Sequence, residues 1–421
     1  MNPSNEGPAI LPGVLVLAVL VVLPVGRGSE LPLALGALGG IVLLARGGAR
    51  FDDAGARLAL ALFAAYWLPA LVSGFDAVAP GKSWSTVVTT LRFLPFALFA
   101  TWALRGAGRW PAFVAAVGAL VVLWALDAYV QIATGYSLGG AAERERISGI
   151  FGAGNLKLGL VLATLAPFLL LAARARFGVR GLVFAYAFLA PPILLAGSRA
   201  AWLSYALIGV LLAWHETRHP RRFLAACAAL AVGLGAIGAF ALHDSSRFGA
   251  RIERSLRALQ GTETALDEAS AGRLRIWRTA LAMGAAHPLT GVGVRGFRYA
   301  YPEYAVAGDA FVDTRSDTGA SHAHQIVLEV FSETGALGLL CWIVGAWLAL
   351  RAWVNADAAA RDRALAPGLA LVAMCFPLNT HLAFYSAWWG LLFWWLLAAY
   401  CAALGARDAQ GSTPAGATVS L

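Results

Sequence analysis

The chain contains 421 residues, of which 59% are hydrophobic and only 13% are charged. This composition excludes a soluble globular domain, because such a domain needs a more highly charged surface. The formal net charge of +9 would be compatible with a nucleic-acid partner. Sorting the basic residues by membrane side, as described below, accounts for most of them, so we expect membrane lipids and no nucleic acid around this chain.

Apolar runs of about 20 residues recur along the whole sequence and do not alternate as barrel strands do. This pattern predicts an all-α, polytopic integral membrane protein with about twelve transmembrane helices. The predicted spans are 9–26, 31–46, 57–74, 85–104, 110–133, 155–173, 180–196, 199–215, 222–243, 325–350, 366–383 and 386–405. The turn at 197–199 is short, and Pro191 and Pro192 should interrupt the helix before it.

The spans divide the chain into four segments. Residues 1–242 hold transmembrane helices 1 to 9, residues 243–324 form a large loop subdomain, residues 325–405 hold helices 10 to 12, and residues 406–421 form a tail. The first apolar run follows a stretch without Lys or Arg, whereas a secretory signal peptide has a basic leading segment, so we expect a retained first span. The four cysteines all fall in apolar runs and are interpreted as packing residues rather than disulfide partners.

The distribution of arginines and lysines predicts the orientation. With both ends in the cytoplasm, the inside loops hold about fifteen positive charges and the short outside loops hold about five. The long loop therefore faces outward, and the tail at 406–421 is cytoplasmic. Within the loop, 248–260 and 272–287 have helical apolar periodicity, whereas 261–272 and 308–321 have the composition of polar turns.

Two histidines stand where the long loop meets the next transmembrane helix. An imidazole titrates near neutral pH, and one beside cationic groups stays unprotonated and can accept a proton from an attacking hydroxyl. His324 is suited to this role of general base. The alternative is that His322 and His324 are polar residues that cap the helix at the interface. Their spacing does not match a helical pair of metal ligands.

Arginines outside the membrane form a second group of candidates. Arg199 lies at the outer boundary of two spans, where a charge is costly unless it pairs with an anionic ligand or reaches the headgroup level. Arg273, Arg275 and Arg278 form a basic cluster whose guanidinium groups match phosphate oxygens or rest on anionic lipid. Because Arg273 and Trp277 share one helix face and Arg275 faces elsewhere, only part of this cluster can line one site.

Further candidates lie nearer the N-terminus. Arg146 precedes Asn155 and Lys157, which stand at a helix start and can either hold a phosphate or only cap the helix. Arg92 lies inside a span and is a functional candidate by default, although a backbone carbonyl is an equally good partner for it.

Carboxylates suited to a metal are missing from the outside loops. The closely spaced acidic pair in the long loop is Asp267 and Glu268, which fall in a turn. Since Mg²⁺ and Mn²⁺ prefer clustered oxygen ligands, we expect no metal site and no cofactor. Arginines would then stabilise a phosphate leaving group without a metal.

These features resemble the O-antigen ligase and polymerase superfamily of membrane glycosyltransferases. The similarity covers residues from about 80 to 345, with its motifs in the order and topology typical of the family. The motifs lie at 146–155, 197–202, 272–277, 287–293 followed by Phe297, and 324–338. One position departs from the pattern, because Gln325 stands where the family usually has Asn.

The resemblance implies a glycosyltransferase C-like membrane enzyme that is metal-independent and inverts the anomeric centre. The ligase branch transfers polysaccharide from undecaprenyl pyrophosphate to the lipid A core oligosaccharide at the periplasmic face of the bacterial inner membrane, which completes lipopolysaccharide. Carried over residue by residue, the resemblance makes His324 the catalytic base, and Arg199 and Arg273 the pyrophosphate ligands. Additional substrate-binding candidates are Arg146, Asn155, Lys157, Arg275, His322 and Trp277.

Three other functions remain open. An O-antigen polymerase uses the same donor but typically has two comparable outside loops, whereas one loop dominates here. A protein O-oligosaccharyltransferase usually carries more outside sequence after the last spans. A transporter would also have apolar spans broken by Pro and Gly, but we find no inverted repeat, and an arginine-rich outside loop ending in histidine is not needed for transport.

Overall fold

The structure, a computed structural model, describes residues 10–47, 53–143, 146–244, 267, 270–380 and 382–406. These residues are mainly helical, with one short antiparallel hairpin of β1 (Tyr136–Ser137) and β2 (Gly140–Ala141). The first helices are α1 (Ile10–Val21), α2 (Glu30–Ala45), α3 (Ala54–Ser73), α4 (Pro80–Thr90), α5 (Phe93–Ala103), α6 (Trp110–Thr134) and α7 (Lys157–Leu195). The others are α8 (Arg199–Thr217), α9 (Pro220–Asp244), α10 (Arg273–Ala286), α11 (Phe297–Tyr304), α12 (Ile326–Asn355), α13 (Ala358–Cys375) and α14 (Ala387–Gly405).

The helices confirm an all-α polytopic membrane protein. In the described part of the chain, seven helical segments are long and apolar enough to cross a membrane, and two further apolar helices are shorter. Each of the twelve predicted spans overlaps a helix, while the number of crossings stays a prediction. The most enclosed helix is α14, whose Trp394 and Trp395 are fully buried and whose Trp395 indole N–H donates to the Val16 carbonyl of α1 at 2.8 Å.

Helix α7 contains two of the predicted spans and corrects one expectation. Its 39 residues are too long for a single crossing, and the backbone breaks at Gly178 (φ 67°), between the spans predicted at 155–173 and 180–196. Pro191 and Pro192 do not interrupt the helix, which continues to Leu195. The Phe188 carbonyl, which a proline four residues later cannot bond, accepts the Tyr129 hydroxyl at 2.7 Å.

The span predicted at 366–383 lies too far along the chain. Helix α13 runs from Ala358 to Cys375, with its N-terminus capped by the Asp357 carboxylate at 2.7 Å from the Ala360 amide. Pro377 follows the helix end, and the Asn379 side chain donates to the carbonyls of Ala373 and Met374. Residues 376–380 and 382–386 therefore lie in a loop between α13 and α14.

The subdomain formed by the long loop has its own small core. The helix predicted at 272–287 is confirmed as α10, and the polar segment at 308–321 is non-helical, whereas the helix predicted at 248–260 lies outside the described residues. Ile276 and Met283 of α10 pack with Phe297 and Tyr301 of α11 and with Ala323, which is fully buried. Because Ala323 precedes His324, this core fixes the backbone at the predicted base.

Helix α12 changes direction at Gly335, where φ is 66° and ψ is −161°. The break frees two amides, so that Ala336 donates to the Pro288 carbonyl at 2.8 Å and Leu337 to the Leu289 carbonyl at 3.3 Å. The segment that follows α10 is thereby bound to the bent helix. Hydropathy predicts a continuous span at 325–350, so the kink is a difference between the prediction and the structure.

Candidate active site

His324 lies in the turn immediately before α12 with a φ of 54°, in the left-handed region. Few residues other than glycine adopt this conformation, and it is often retained where a side chain has to be aimed at a site. Gln325 then resumes an extended backbone and caps α12 by accepting the Leu328 amide at 2.6 Å. The orientation of the imidazole is therefore set by the backbone conformation just before the first turn of α12.

The tautomer of His324 follows from its partner. Its Nδ1 lies 2.7 Å from the Thr380 carbonyl oxygen, which can only accept, so Nδ1 carries the proton and Nε2 carries the lone pair. Burial is the main cause that lowers the pKa of His324, and the positive charge of Arg273 lowers it further, to about 4. The Thr380 hydrogen bond acts in the opposite direction. His324 is consequently a neutral imidazole at neutral pH and can accept a proton.

Arg273 and Arg199 are near enough for their charges to interact. Each is the first residue of a helix, Arg273 of α10 and Arg199 of α8, and the Ser198 side chain caps the latter. Burial, followed by the charge of Arg199, lowers the pKa of Arg273 to about 10. Two guanidinium groups close enough to affect each other form a positive site beside His324, and an anion between them would relieve their repulsion.

His322 and Trp277 border this group. The His322 and His324 rings lie 3.9 Å apart, and His322 Nδ1 is 3.0 Å from the Ser321 hydroxyl. Trp277 is half-buried one turn after Arg273, and its buried indole N–H has no hydrogen-bond partner among the described residues. A buried donor of this kind costs free energy unless a ligand or water accepts from it.

Arg275 has a different environment from Arg273. Its guanidinium forms an ion pair with Asp267 at 3.4 Å, and its side chain is 49% exposed. This agrees with the expectation that Arg273 and Arg275 face different directions. A role of Arg275 in substrate binding stays a prediction.

The candidates before α7 have local partners. The Arg146 guanidinium lies 3.7 Å from the Glu143 carboxylate, and the next amide, of Ile147, donates to the Leu195 carbonyl beside the Arg199 turn.

The Asn155 side chain accepts the Lys157 amide at 3.3 Å, which is the capping role considered from the sequence. The Lys157 ammonium lies 4.2 Å from the centre of the Trp388 ring, on the helix after the Thr380 loop.

Arg92 has a structural explanation. It lies at the break between α4 and α5, where its guanidinium pairs with Glu30 at 2.9 Å and donates to the Thr89 carbonyl. A charge inside the membrane that pairs with a carboxylate and a backbone carbonyl needs no ligand. The carbonyl partner considered from the sequence is therefore present, together with a carboxylate that the sequence did not indicate.

Sequence reasoning missed the Thr380 carbonyl, because a backbone group leaves no signature in residue type. Pro377 and Asn379, both typical of a loop after a helix end, were the available signal. The hydropathy reading placed them within a span. Among the described residues, no cluster of three His, Cys, Asp or Glu side chains could hold a metal ion.

Comparison with known proteins supports one family. Residues 182–343 match the family model described as O-Antigen ligase. The matched segment includes Arg199, Arg273 and His324, but not Arg146 or the start of α7. No curated protein matches the chain. Over residues 182–343 the chain is therefore similar to the O-antigen ligase superfamily.

Proposed function

We propose that this chain is an O-antigen ligase, which transfers polysaccharide from undecaprenyl pyrophosphate to the lipid A core oligosaccharide. The proposed site faces the periplasm at the bacterial inner membrane, and the product is lipopolysaccharide. The observation that carries the proposal is the grouping of a neutral imidazole, His324, with two guanidinium groups, those of Arg199 at the start of α8 and Arg273 at the start of α10. A pyrophosphate linked to a lipid would meet the arginines at this depth.

The proposed reaction is an in-line displacement at the anomeric carbon of the donor. The acceptor hydroxyl oxygen forms the new glycosidic bond while His324 Nε2 takes its proton, and the bond from the anomeric carbon to the pyrophosphate oxygen breaks. The bond-forming oxygen enters from the face opposite the leaving group, so the configuration inverts. Arg199 and Arg273 stabilise the negative charge that develops on the leaving oxygen, in the absence of a metal.

Other residues are proposed to hold the two substrates. The Trp277 indole N–H and the His322 ring border the reactive group and would bind sugar hydroxyls. Arg146, Asn155, Lys157 and Arg275 remain candidates for contacts further along the donor or acceptor. Holding two lipid-anchored substrates in one outward site supplies proximity, which can account for a large part of the barrier reduction.

The test is the lipopolysaccharide of a strain that lacks this protein, complemented by wild type, Arg199→Ala or His324→Ala with verified expression. A ligase deletion should leave the lipid A core without long chains while polymerised polysaccharide accumulates on its lipid carrier, and neither variant should restore ligation. Accumulation of single repeat units would show an O-antigen polymerase. Unchanged lipopolysaccharide combined with altered solute flux would show a transporter.

A further inference from the structure

One side of α12 is exposed along the whole length of the helix after the break at Gly335. Its exposed side chains recur every three or four residues, which is the spacing of a single helix face. The opposite side faces α3, since a Cβ added at Gly345 would lie 3.4 Å from the Ala65 side chain. The exposed residues, which we call the α12 face, are Ala336, Leu340, Ile343, Trp347, Leu350 and Val354.

The α12 face has the length of a membrane core. At a rise of about 1.5 Å per residue, residues 336–355 extend over about 30 Å. The hydrocarbon core of a bilayer is about 30 Å thick, and α12 is one of the helices long and apolar enough to cross it. Ala336 therefore lies near one edge of the hydrocarbon, on the side of the subdomain formed by the long loop.

The exposed surface continues from Ala336 onto the segment that follows α10. The amides of Ala336 and Leu337 donate to the carbonyls of Pro288 and Leu289 at 2.8 and 3.3 Å. These bonds hold the backbone of the segment at the edge of the α12 face. The Leu289 side chain is nevertheless 72% exposed. A large apolar side chain is thus fixed at the level where the hydrocarbon begins, without cover from the described part of the chain.

Helix α10 extends the exposed surface away from Leu289. Its buried side, which includes Ile276, packs in the small core, whereas Leu281 on the other side is 51% exposed and Ala285 is also exposed. Arg278 is exposed one turn before Leu281 on the same side, and the Arg275 side chain is 49% exposed. The exposed side of α10 therefore changes from basic near its N-terminus to apolar near its C-terminus.

We propose that phospholipid covers the C-terminal half of α10 and the segment after it, in the leaflet on the side of the long-loop subdomain. An amphipathic helix of this kind inserts its apolar side about 5–10 Å into the boundary between headgroups and acyl chains. Two observations identify lipid as the cover. The exposed surface is continuous with the α12 face, which a bilayer has to cover, and it changes from basic to apolar in the direction of the hydrocarbon. The covered residues, which we call the α10 face, are Leu281, Ala285, Pro288 and Leu289.

The lipid contact sets the height of the candidate active site in the membrane. Arg273 is the first residue of α10 and precedes Leu281 by about two turns, or about 12 Å of helix. Because an amphipathic helix lies close to the membrane plane, α10 holds Arg273 at the level of the lipid phosphates. This inference concerns the bilayer around the protein and does not rest on the proposed function.

The test is photocrosslinking of the full chain in nanodiscs of phosphatidylethanolamine and phosphatidylglycerol. A diazirine-bearing amino acid replaces Leu281 or Leu289, one position per variant, and the adducts formed on irradiation are identified by mass spectrometry. Both positions are exposed, so a side chain of similar size should leave the fold unchanged in a thermal unfolding assay. If either variant does not fold, Ala285 provides a further position on the same face.

Two control positions calibrate the adducts. Leu340, on the α12 face, reports contact with acyl chains. Thr314 is exposed in the same subdomain as α10, and its neighbour Phe311 lies beside Gly272 at the N-terminal end of that helix, so Thr314 should face water. We expect the ratio of lipid adducts to water adducts on the α10 face to exceed the ratio at Thr314 by about tenfold or more. The ratio at Leu289 should approach that at Leu340.

Any other cover of the α10 face would overturn the proposal. A ratio equal to that at Thr314 would show that water covers this face. Cross-links between two chains would show that a second copy covers it, and cross-links within one chain would identify another segment of this protein as the cover. Lipid adducts at Leu340 without lipid adducts at Leu289 would confine the lipid contact to α12.

Discussion

The pH dependence of transfer is the sharpest consequence of the His324 environment. Burial and the Arg273 charge lower its pKa from 6.5 to about 4. This difference corresponds to about 3 kcal/mol in favour of the neutral imidazole. Since a general base acts in its unprotonated form, the rate should fall only when the pH approaches the lowered pKa.

The expected magnitude follows from the fraction of neutral imidazole. With a pKa of about 4, more than about nine-tenths of His324 is neutral at about pH 5.5, whereas an unperturbed histidine would be roughly one-tenth neutral at that pH. We therefore expect kcat/KM to be nearly constant between about pH 7.5 and 5.5. Among the described residues, the Thr380 carbonyl, the Arg273 charge and the His322 ring act on or lie beside His324.

The assay uses purified protein in lipid nanodiscs, a subsaturating lipid-linked donor and a rough lipopolysaccharide acceptor. A parallel NMR titration of His324 without substrate reports its pKa directly and is independent of substrate ionisation. A roughly tenfold decrease in kcat/KM between about pH 7.5 and 5.5, together with a His324 midpoint near 6.5, would refute the buried neutral base.

Three further predictions concern charge, backbone and stability. Arg273→Ala should reduce the transfer rate by about a hundredfold or more, because it removes charge stabilisation of the leaving group, whereas Arg278→Ala on the exposed face of α10 should change it by less than about twofold. Gly335→Ala should lower the free energy of unfolding by at least about 2 kcal/mol, since φ at Gly335 is 66° and a Cβ there would meet the Leu289 backbone. Gly345→Ala lies on the same helix, where a Cβ has room, and should leave the stability measured by thermal unfolding unchanged. Folding lowers the pKa of His324, so below about pH 6.5 the unfolded state binds more protons than the folded state, and the free energy of unfolding decreases towards pH 4. At about pH 5 the free energy of unfolding of wild type should be lower by about 2 kcal/mol, whereas His324→Gln should not show this decrease. Equal pH sensitivity of both proteins would contradict that assignment.

The fold class could be predicted because length and hydropathy are local properties of each span. Lipid excludes unpaired backbone groups, so an apolar run of sufficient length has to be helical whatever its neighbours are. Helix ends were harder to predict. The boundary of α13 depends on the Asp357 cap and on Pro377, which hydropathy averages over, and the kink of α12 depends on carbonyl partners at Pro288 and Leu289 that are distant in sequence.

The candidate site shows the same division. The residue types of His324, Arg199 and Arg273 could be selected from chemistry and topology, since imidazole and guanidinium groups at a membrane boundary have few structural roles. Their grouping depends on how α8, α10 and the start of α12 meet, which sequence spacing does not specify. The Thr380 carbonyl could not be found from the sequence, because it is a backbone group in a segment that resembles a membrane span.

A single-turnover transfer experiment with purified components tests the catalytic roles of His324 and Arg273. Labelled polysaccharide on undecaprenyl pyrophosphate is mixed with lipid A core acceptor and with wild type, His324→Gln, Arg273→Ala or the control Arg278→Ala, each at equal folded concentration. We expect wild type and Arg278→Ala to transfer the label at similar rates, and His324→Gln and Arg273→Ala to be slower by about a hundredfold or more. Transfer by His324→Gln at the wild-type rate would contradict the assignment of the base and the mechanism built on it.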